Sequence, residues 1–408
     1  MKIHKISWFD DFKCMGGDCP QTCCRGWLIP LDEDDLERFK CEKGLLGIRL
    51  LAATGAYTRT RMNLGSGECT FHTREGLCSL QLKKGHDFIP WACRSFPRFY
   101  RNYGDFEERY LDLSCYAAAE LFVKNIGRLT LAMDEEEEPA TRPCTTNDDR
   151  NYLNTLLKIR RDFVEDTGTV LSCHGDGSFG TPEAMDNHGT HYWEWCQKNR
   201  PRGTHGTRGT KEPSPCLHFA AIYSYACKLQ DIYASGGDQK DLPPFPEYQA
   251  SFDEKFDLFP LPVETLKRFL DAAIYNFGIK KSGPELLVLL TDALSLTGRY
   301  LSDPAGFSAA ARNLIDTDEK LLPLLNSYMS YYLYQYFLGT YETYSFRKVT
   351  ALGIIHTNMI LLLTLTYAEG GRKLADDDFA YIISIYNRKA FFNETIEDEM
   401  YRIFSEQN

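Results

Sequence analysis

The sequence predicts a mainly α protein: an irregular, cysteine-rich, metal-binding N-terminal module followed by a helical body. Three observations carry that reading. Nine of the fourteen cysteines fall within the first 115 residues, and none follows Cys227. Downstream, apolar residues recur every three or four positions, the spacing of a helix face, and do not alternate as in a half-buried strand. The glycine pairs (Gly16-Gly17, Gly236-Gly237, Gly370-Gly371) follow no credible strand. The strand, glycine turn and helix of a Rossmann-type cofactor site are therefore missing.

With 408 residues, 43% of them hydrophobic and 25% charged, the chain can bury a large core divided among two or three domains. Its formal charge of −11 argues against a nucleic acid or an anionic membrane as partner, because either favours a clustered basic surface. The first residues, "MKIHKISWFDDFKC", contain neither an apolar signal core nor a small-residue cleavage site. The longest apolar run, residues 351–367, is shorter than the ~20 residues of a span and carries His356 and Asn358. It reads as a buried core helix, with His356 a core histidine. The expected setting is the cytoplasm, where fourteen cysteines do not read as seven disulfides.

Composition divides the chain into a cysteine-rich metal or iron–sulfur module (1–130), an acidic linker, helix and long mobile loop (131–215), and a helical domain (216–408). The stretch after Cys115, residues 116–133, reads as a helix. "DEEEEPATRP" reads as a solvated linker, and a second helix is expected over 152–164. Residues 174–215 are rich in glycine, threonine and proline and cannot bury enough apolar surface to fold alone. Within them His174, His188, His191, Cys196 and His205 match no strong zinc spacing and read as solvated loop residues. Helices follow over 216–233, around Val263, Leu266, Phe269, Leu270 and Ile274, and from Ser282, Pro284 and Glu285 onward. Three more are expected over 321–341, 345–367 and 376–404. The tyrosines between Tyr328 and Tyr344 either pack a helix or line a cleft.

The chemistry lies in the cysteines. In order they are Cys14-x4-Cys19-x3-Cys23-Cys24, then Cys69 and Cys78 in "GECTFHTREGLC", then Cys93 in "WACRSFPRFY", then Cys115; Cys41 is a spare thiol. Gly16, Gly17 and Gly26 let the backbone wrap closely around a centre. A zinc ion needs four ligands and a four-iron cluster three or four thiolates, so eight sulfurs suit two zinc ions or one cluster with extra thiols. Neither the C-x2-C knuckle pair of zinc sites nor the C-x3-C-x2-C of radical enzymes occurs. Buried structural thiols remain the plain alternative, and a strained Cys23-Cys24 redox pair a further one. Arg94 and Arg98, either side of "SFP", are candidates to hold a cofactor carboxylate, or form a structural salt bridge. Asp18, inside the cysteine loop, and Glu107, Glu108 and Asp112, near Cys115, are the candidate bases; the alternatives are a turn cap for Asp18 and solvent-facing side chains for the other three.

The segments "GGDCPQTCCRGWLIPLDEDD", "GECTFHTREGLCSL" and "ACRSFPRFYRNYGDFEERYLDLSCYAAAELF" resemble the flagellin lysine-N-methylase family. More loosely they resemble small zinc- or iron-chelating proteins, through the double cysteine, the "GLC" and the "CR-x-FPR". The resemblance covers about the first 125 residues. It implies a methyltransferase that uses S-adenosylmethionine and a 4Fe-4S iron–sulfur cluster to methylate surface lysines of flagellin or another protein. Cys14, Cys19, Cys23, Cys24, Cys69, Cys78, Cys93 and Cys115 are the implied ligands. The competing expectation is a non-enzymatic zinc- or iron-binding or metal-sensing protein built on the same cysteines.

Overall fold

The structure is a computed structural model. It describes residues 2–25, 29–57, 61–62, 64–65, 68–104, 106–135, 147–167, 170–174, 216–252, 258–281, 284–390 and 394–406. The strands are β1 (Lys2–Ile6), β2 (Leu64–Gly65), β3 (Glu68–Cys69), β4 (Arg98–Asn102), β5 (Phe106–Leu111), β6 (Arg128–Glu135) and β7 (Val170–His174). Short N-terminal helices are α1 (Glu33–Lys40), α2 (Gly44–Ala53), α3 (Ser79–Lys84), α4 (Trp91–Ser95) and α5 (Tyr116–Lys124). After α6 (Asn147–Asp166) come α7 (Cys216–Ala234), α8 (Phe245–Ala250), α9 (Val263–Lys281), α10 (Pro284–Tyr300) and α11 (Pro304–Thr317). The chain closes with α12 (Leu321–Tyr336), α13 (Thr340–Thr343), α14 (Phe346–Tyr367), α15 (Asp376–Ala390) and α16 (Glu394–Ser405).

Helix dominates, as the patterning predicts. The largest hydrophobic cluster is built around α14, whose apolar 18-residue window is 89% buried inside the protein. Length and composition alone would let this helix cross a membrane; its neighbours α7, α10, α12 and α16 take the place of lipid. At Gly353 a Cβ would lie 2.9 Å from Met329 Sδ and Tyr332 Cδ1, so only glycine lets α12 approach α14 this closely. The tyrosines of α12 are packing residues. Tyr331 donates to the Leu111 carbonyl (2.7 Å) and Tyr328 to Asn387 Oδ1 (2.6 Å), tying α12 to the end of β5 and to α15. His356 is wholly buried with Nδ1 2.8 Å from the Tyr386 hydroxyl, and burial lowers its pKa to about 3.

The sequence reading did not contain the sheet. Five strands pair in the order β4-β5-β1-β6-β7. β4 and β5 form an antiparallel hairpin, β5 runs parallel to β1, β1 antiparallel to β6, and β6 parallel to β7. In β5 the alternate residues Phe106, Glu108 and Tyr110 are buried, the period-two pattern of a one-sided strand. The middle one is a carboxylate. Glu108 is 1% exposed and bonds bidentately to Arg160 of α6 at 2.6 and 2.9 Å; Arg160 also donates to the Tyr334 carbonyl at 3.0 Å. This corrects the solvent-facing alternative for Glu108.

Two helix boundaries are also corrected. The expected helix over 116–133 ends at Lys124, because Gly127 turns the chain at φ +81° into β6. The expected helix over 376–404 is two helices, α15 and α16. Helices α1, α2 and α11 lie where none was expected. Residues 136–146 of the linker, residues 175–215 of the expected loop, and its His188, His191, Cys196 and His205 lie outside the described residues.

The buried apolar side chains fall into two clusters. The larger joins β1, β5 and α5 to the C-terminal helices. The smaller comprises Ile29, Leu31, Phe39, Leu50, Met62, Cys69, Phe71, Leu80 and Ile89 with their neighbours. It is held by α1, whose Asp32–Asp35 capping box places the Asp35 carboxylate to accept from the Trp91 amide (3.1 Å) at the start of α4.

Candidate metal centre

Backbone pairing brings distant cysteines together. Arg25 bridges Glu68, and the Cys69 amide donates to the Cys24 carbonyl (2.8 Å), so Cys24 and Cys69 face each other across a short antiparallel pair. A second bridge pairs His72 with Cys78, bracketed by Thr73 N–H to Leu77 O (2.8 Å) and Ser79 N–H to Phe71 O (2.8 Å). Side chains at such a non-hydrogen-bonded pair share one face and lie close. Helix α4 then delivers Cys93, and Cys115 stands immediately before α5.

Cys14 and Cys19 flank the short 3-10 turn Gly16–Asp18, in which Gly16 has φ +59°. This turn is seated on the loop before Cys78: a Cβ on Gly17 would sit 2.5 Å from the Glu75 carbonyl oxygen, and one on Gly76 3.0 Å from Gly17 Cα. Asp18 is exposed, while Cys14 Sγ accepts from the Gly16 amide at 3.4 Å.

The eight predicted cysteines fall into two groups of thiols within electrostatic reach, joined through Cys23. Cys24, Cys69, Cys78 and Cys93 are within electrostatic reach of one another. Cys14, Cys19 and Cys115 form the second set, and Cys23 senses both, through Cys24 and Cys93 on one side and Cys115 on the other. Burial pushes Cys69 up to about 11, Cys115 up to about 12 and Cys93 well above the ordinary thiol range. In the adjacent pair the hydrogen bond from Cys23 makes Cys24 the more acidic thiol. Cys41 is exposed.

Two residues that the sequence reading missed border these sulfurs. The His72 side chain is 7% exposed; its Nδ1 lies 3.3 Å from Glu68 Oε2, while Glu68 Oε1 pairs with Arg25 at 2.6 Å. Its Nε2 is buried and without a hydrogen-bond partner in the described structure, and its ring is within electrostatic reach of Cys24. A carboxylate that holds one imidazole nitrogen leaves the other free as a donor, the arrangement that orients metal-bound histidines. Arg388, near the end of α15, donates to the carbonyls of Gln21 (2.8 Å), Thr22 (3.1 Å) and Ser114 (3.3 Å), each within two residues of a cysteine. Its guanidinium is within reach of Cys23, Cys115 and Cys19. Gln21 reinforces the tie by donating to the Tyr381 carbonyl (3.2 Å) and accepting from Ser384 (2.9 Å).

The predicted arginines behave differently from each other. Arg98 stacks on Phe12 and Phe9 and donates to the Phe12 carbonyl (3.3 Å), a structural placement. Arg94 follows Cys93 and keeps a buried Nε without a hydrogen-bond partner in the described structure. Of the acidic candidates, Glu107 pairs with Arg109 (2.7 Å). Asp112 turns its carboxylate inward, where it accepts from the Ser114 amide (2.7 Å) and burial raises its pKa. It lines a cavity of about 10 Å³ with Tyr328, Tyr331, Gln335 and Asn387, room for one water. A wider, open concavity of about 740 Å³ lies between α9 and α16, lined by Arg268, Tyr275 and Arg402 among others and by no cysteine.

Among the described residues, no three His, Cys, Asp or Glu side chains are already drawn together as a metal cage. The donor set nevertheless fits a thiophilic metal or an iron–sulfur cluster: soft sulfur ligands, an orphaned buried imidazole nitrogen, and buried thiols that would lose their protons to a bound cation's field.

No family model matches the chain, and no solved structure does. Three curated proteins are similar over part of it. The flagellar biosynthetic protein FliU of Salmonella muenchen is 28% identical over 122 residues, 28% of this chain and 72% of that protein. A lysine-N-methylase of Salmonella choleraesuis (strain SC-B67) is 28% identical over 122 residues, and one of Salmonella typhimurium 28% identical over 113. These matches span only 30% and 28% of the two methylases, so the likeness is to a portion of each.

Proposed function

We propose that the chain is an S-adenosylmethionine-dependent protein lysine N-methyltransferase carrying an iron–sulfur cluster, acting in the cytoplasm on surface lysines of flagellin or a similar protein. The observation that supports this most is the gathering of eight cysteines, spread over a hundred residues of sequence, in a chain similar over 122 residues to a lysine-N-methylase. The cluster would be held by these thiols, and when bound it supplies an iron able to take the amino and carboxylate groups of S-adenosylmethionine. The chain's own groups have the remaining work. Arg388 holds the Cys19–Cys23 loop and Cys115 at a fixed separation through three carbonyls. Arg94 offers an unpaired donor for a carboxylate. Asp112, three residues before Cys115 with its carboxyl turned inward onto the Ser114 amide, is the candidate to accept the proton that a lysine ammonium must lose before it can attack a methyl group.

A second reading, a metal-binding or metal-sensing protein without catalysis, draws on the water-sized cavity beside Asp112, far smaller than a cofactor pocket. The deciding experiment incubates the anaerobically prepared protein with methyl-labelled S-adenosylmethionine and purified flagellin. N-methyl-lysine in flagellin peptides, absent with Cys115→Ser, is the expected result. Loaded protein that transfers no label to flagellin or to any protein in a flagellate lysate favours the second reading.

A further inference from the structure

We propose that the eight cysteines build two separate centres: Cys24, Cys69, Cys78 and Cys93 surround one, Cys14, Cys19 and Cys115 the other, and Cys23 stands at the junction. This rests on the metal-bound reading above and deepens it. The two sets are attached to different cores. Cys69 belongs to the smaller hydrophobic cluster, against which Cys24, Cys78 and Cys93 pack; Cys19 and Cys115 pack against the larger one. The electrostatic neighbours divide the same way, with Cys69 sensing Cys24 and Cys78, and Cys115 sensing Cys19 and Cys14.

Each set also has its own polar partner. His72, held by Glu68, lies beside Cys24 and Cys78, whereas Arg388 lies beside Cys19 and Cys115. Four thiols fill the shell of a zinc ion or an iron–sulfur cube, and a closed shell is the mark of a structural site. Three thiols leave one position open, and one of them, Cys115, follows Asp112 by three residues and donates its amide to the Asp112 carbonyl (3.2 Å). The first centre therefore holds the small core together, and the second is the reactive one. The seam between them is the contact of Gly17 with Glu75 and Gly76, which keeps the Cys14–Cys19 turn against the loop carrying Cys78.

The test is metal and sulfide content per chain after anaerobic reconstitution with iron and sulfide, and separately with zinc. Wild type is compared with Cys78→Ser, in the first set, and with the exposed Cys14→Ser, in the second. Far-UV circular dichroism monitors the fold. Two centres' worth of metal in the wild type is expected, with each variant losing about half and keeping the rest. One centre's worth in the wild type overturns the inference and leaves the proposed function standing; no metal under either condition overturns both. A folded variant that loses all its metal also overturns it, and the wild-type stoichiometry decides the question should a variant fail to fold.

Discussion

Replacing Arg388 with methionine keeps the volume of the side chain and removes its donors. Three hydrogen bonds disappear, to Gln21 O at 2.8 Å, Thr22 O at 3.1 Å and Ser114 O at 3.3 Å. A hydrogen bond from a charged group contributes about 1.5–3 kcal/mol, so the two shorter ones give about 3–6 kcal/mol, and the long third adds little. The Gln21 side chain keeps its own bonds to α15, so the loss falls on the attachment of the Cys19–Cys23 loop and of Cys115, not on the whole fold. At about 1.4 kcal/mol per decade, local opening becomes roughly 10²–10⁴ times more frequent. Hydrogen exchange read by mass spectrometry measures it directly. Peptides covering residues 14–24 and 376–390 exchange faster in Arg388→Met, while those covering α1 and α2 do not change. Arg388→Lys recovers little, because one ammonium cannot span three carbonyls. Unchanged exchange in both peptides would show that Arg388 does not tie the helical body to the sulfur loops.

Four further outcomes follow from the packing. Gly17→Ala places a methyl 2.5 Å from the Glu75 carbonyl, so the Cys14–Cys19 turn lifts off its seat; metal affinity measured against a chelator falls about 10-fold or more. Glu108→Ala leaves Arg160 buried and unpaired, and the urea midpoint drops by the equivalent of about 3–5 kcal/mol. Gly353→Val forces α12 away from α14 and destabilises by about 1–3 kcal/mol in the same assay. Glu397 is raised by burial to about 7, with Asp398 and Glu394 adding to the rise and Lys348 opposing it. Between about pH 4.5 and 7 the unfolded chain ionises this group while the folded one keeps it protonated, so its contribution to stability declines as pH rises. The gain in melting temperature of Glu397→Gln over wild type is therefore larger at neutral pH than at mildly acidic pH, and an equal gain at both contradicts the assignment.

The sequence was readable where local periodicity decides structure. Helices α7, α9, α10, α12 and α14 carry apolar faces at helical spacing, and tertiary packing agrees with them. The sheet was not readable, because β1 pairs with strands about a hundred residues away and β5 buries a glutamate in the middle of its inward face. Glu108 reads as polar until Arg160, far along the chain, is placed against it. The turn at Gly127 was the missed signal for β6: a helix end, a glycine, then Leu129 and Leu131 two apart. The cysteines could be found from crowding alone. Their partners could not: Arg388 lies 273 positions after Cys115 (388 − 115), and no periodicity points from α15 to the sulfur loops. His72 stood in view between Cys69 and Cys78, but only the bridge to Cys78 and the Glu68 contact give its ring a direction.

The central claim is that these thiols hold an iron–sulfur cluster in the working protein. Anaerobic purification followed by iron, acid-labile sulfide and zinc analysis, with an absorption spectrum, tests it most directly. The account predicts iron and sulfide in equal amounts, about four of each per cluster, with broad absorption near ~400 nm. Stoichiometric zinc without sulfide would contradict it and leave a metal-binding protein in place of the cluster enzyme.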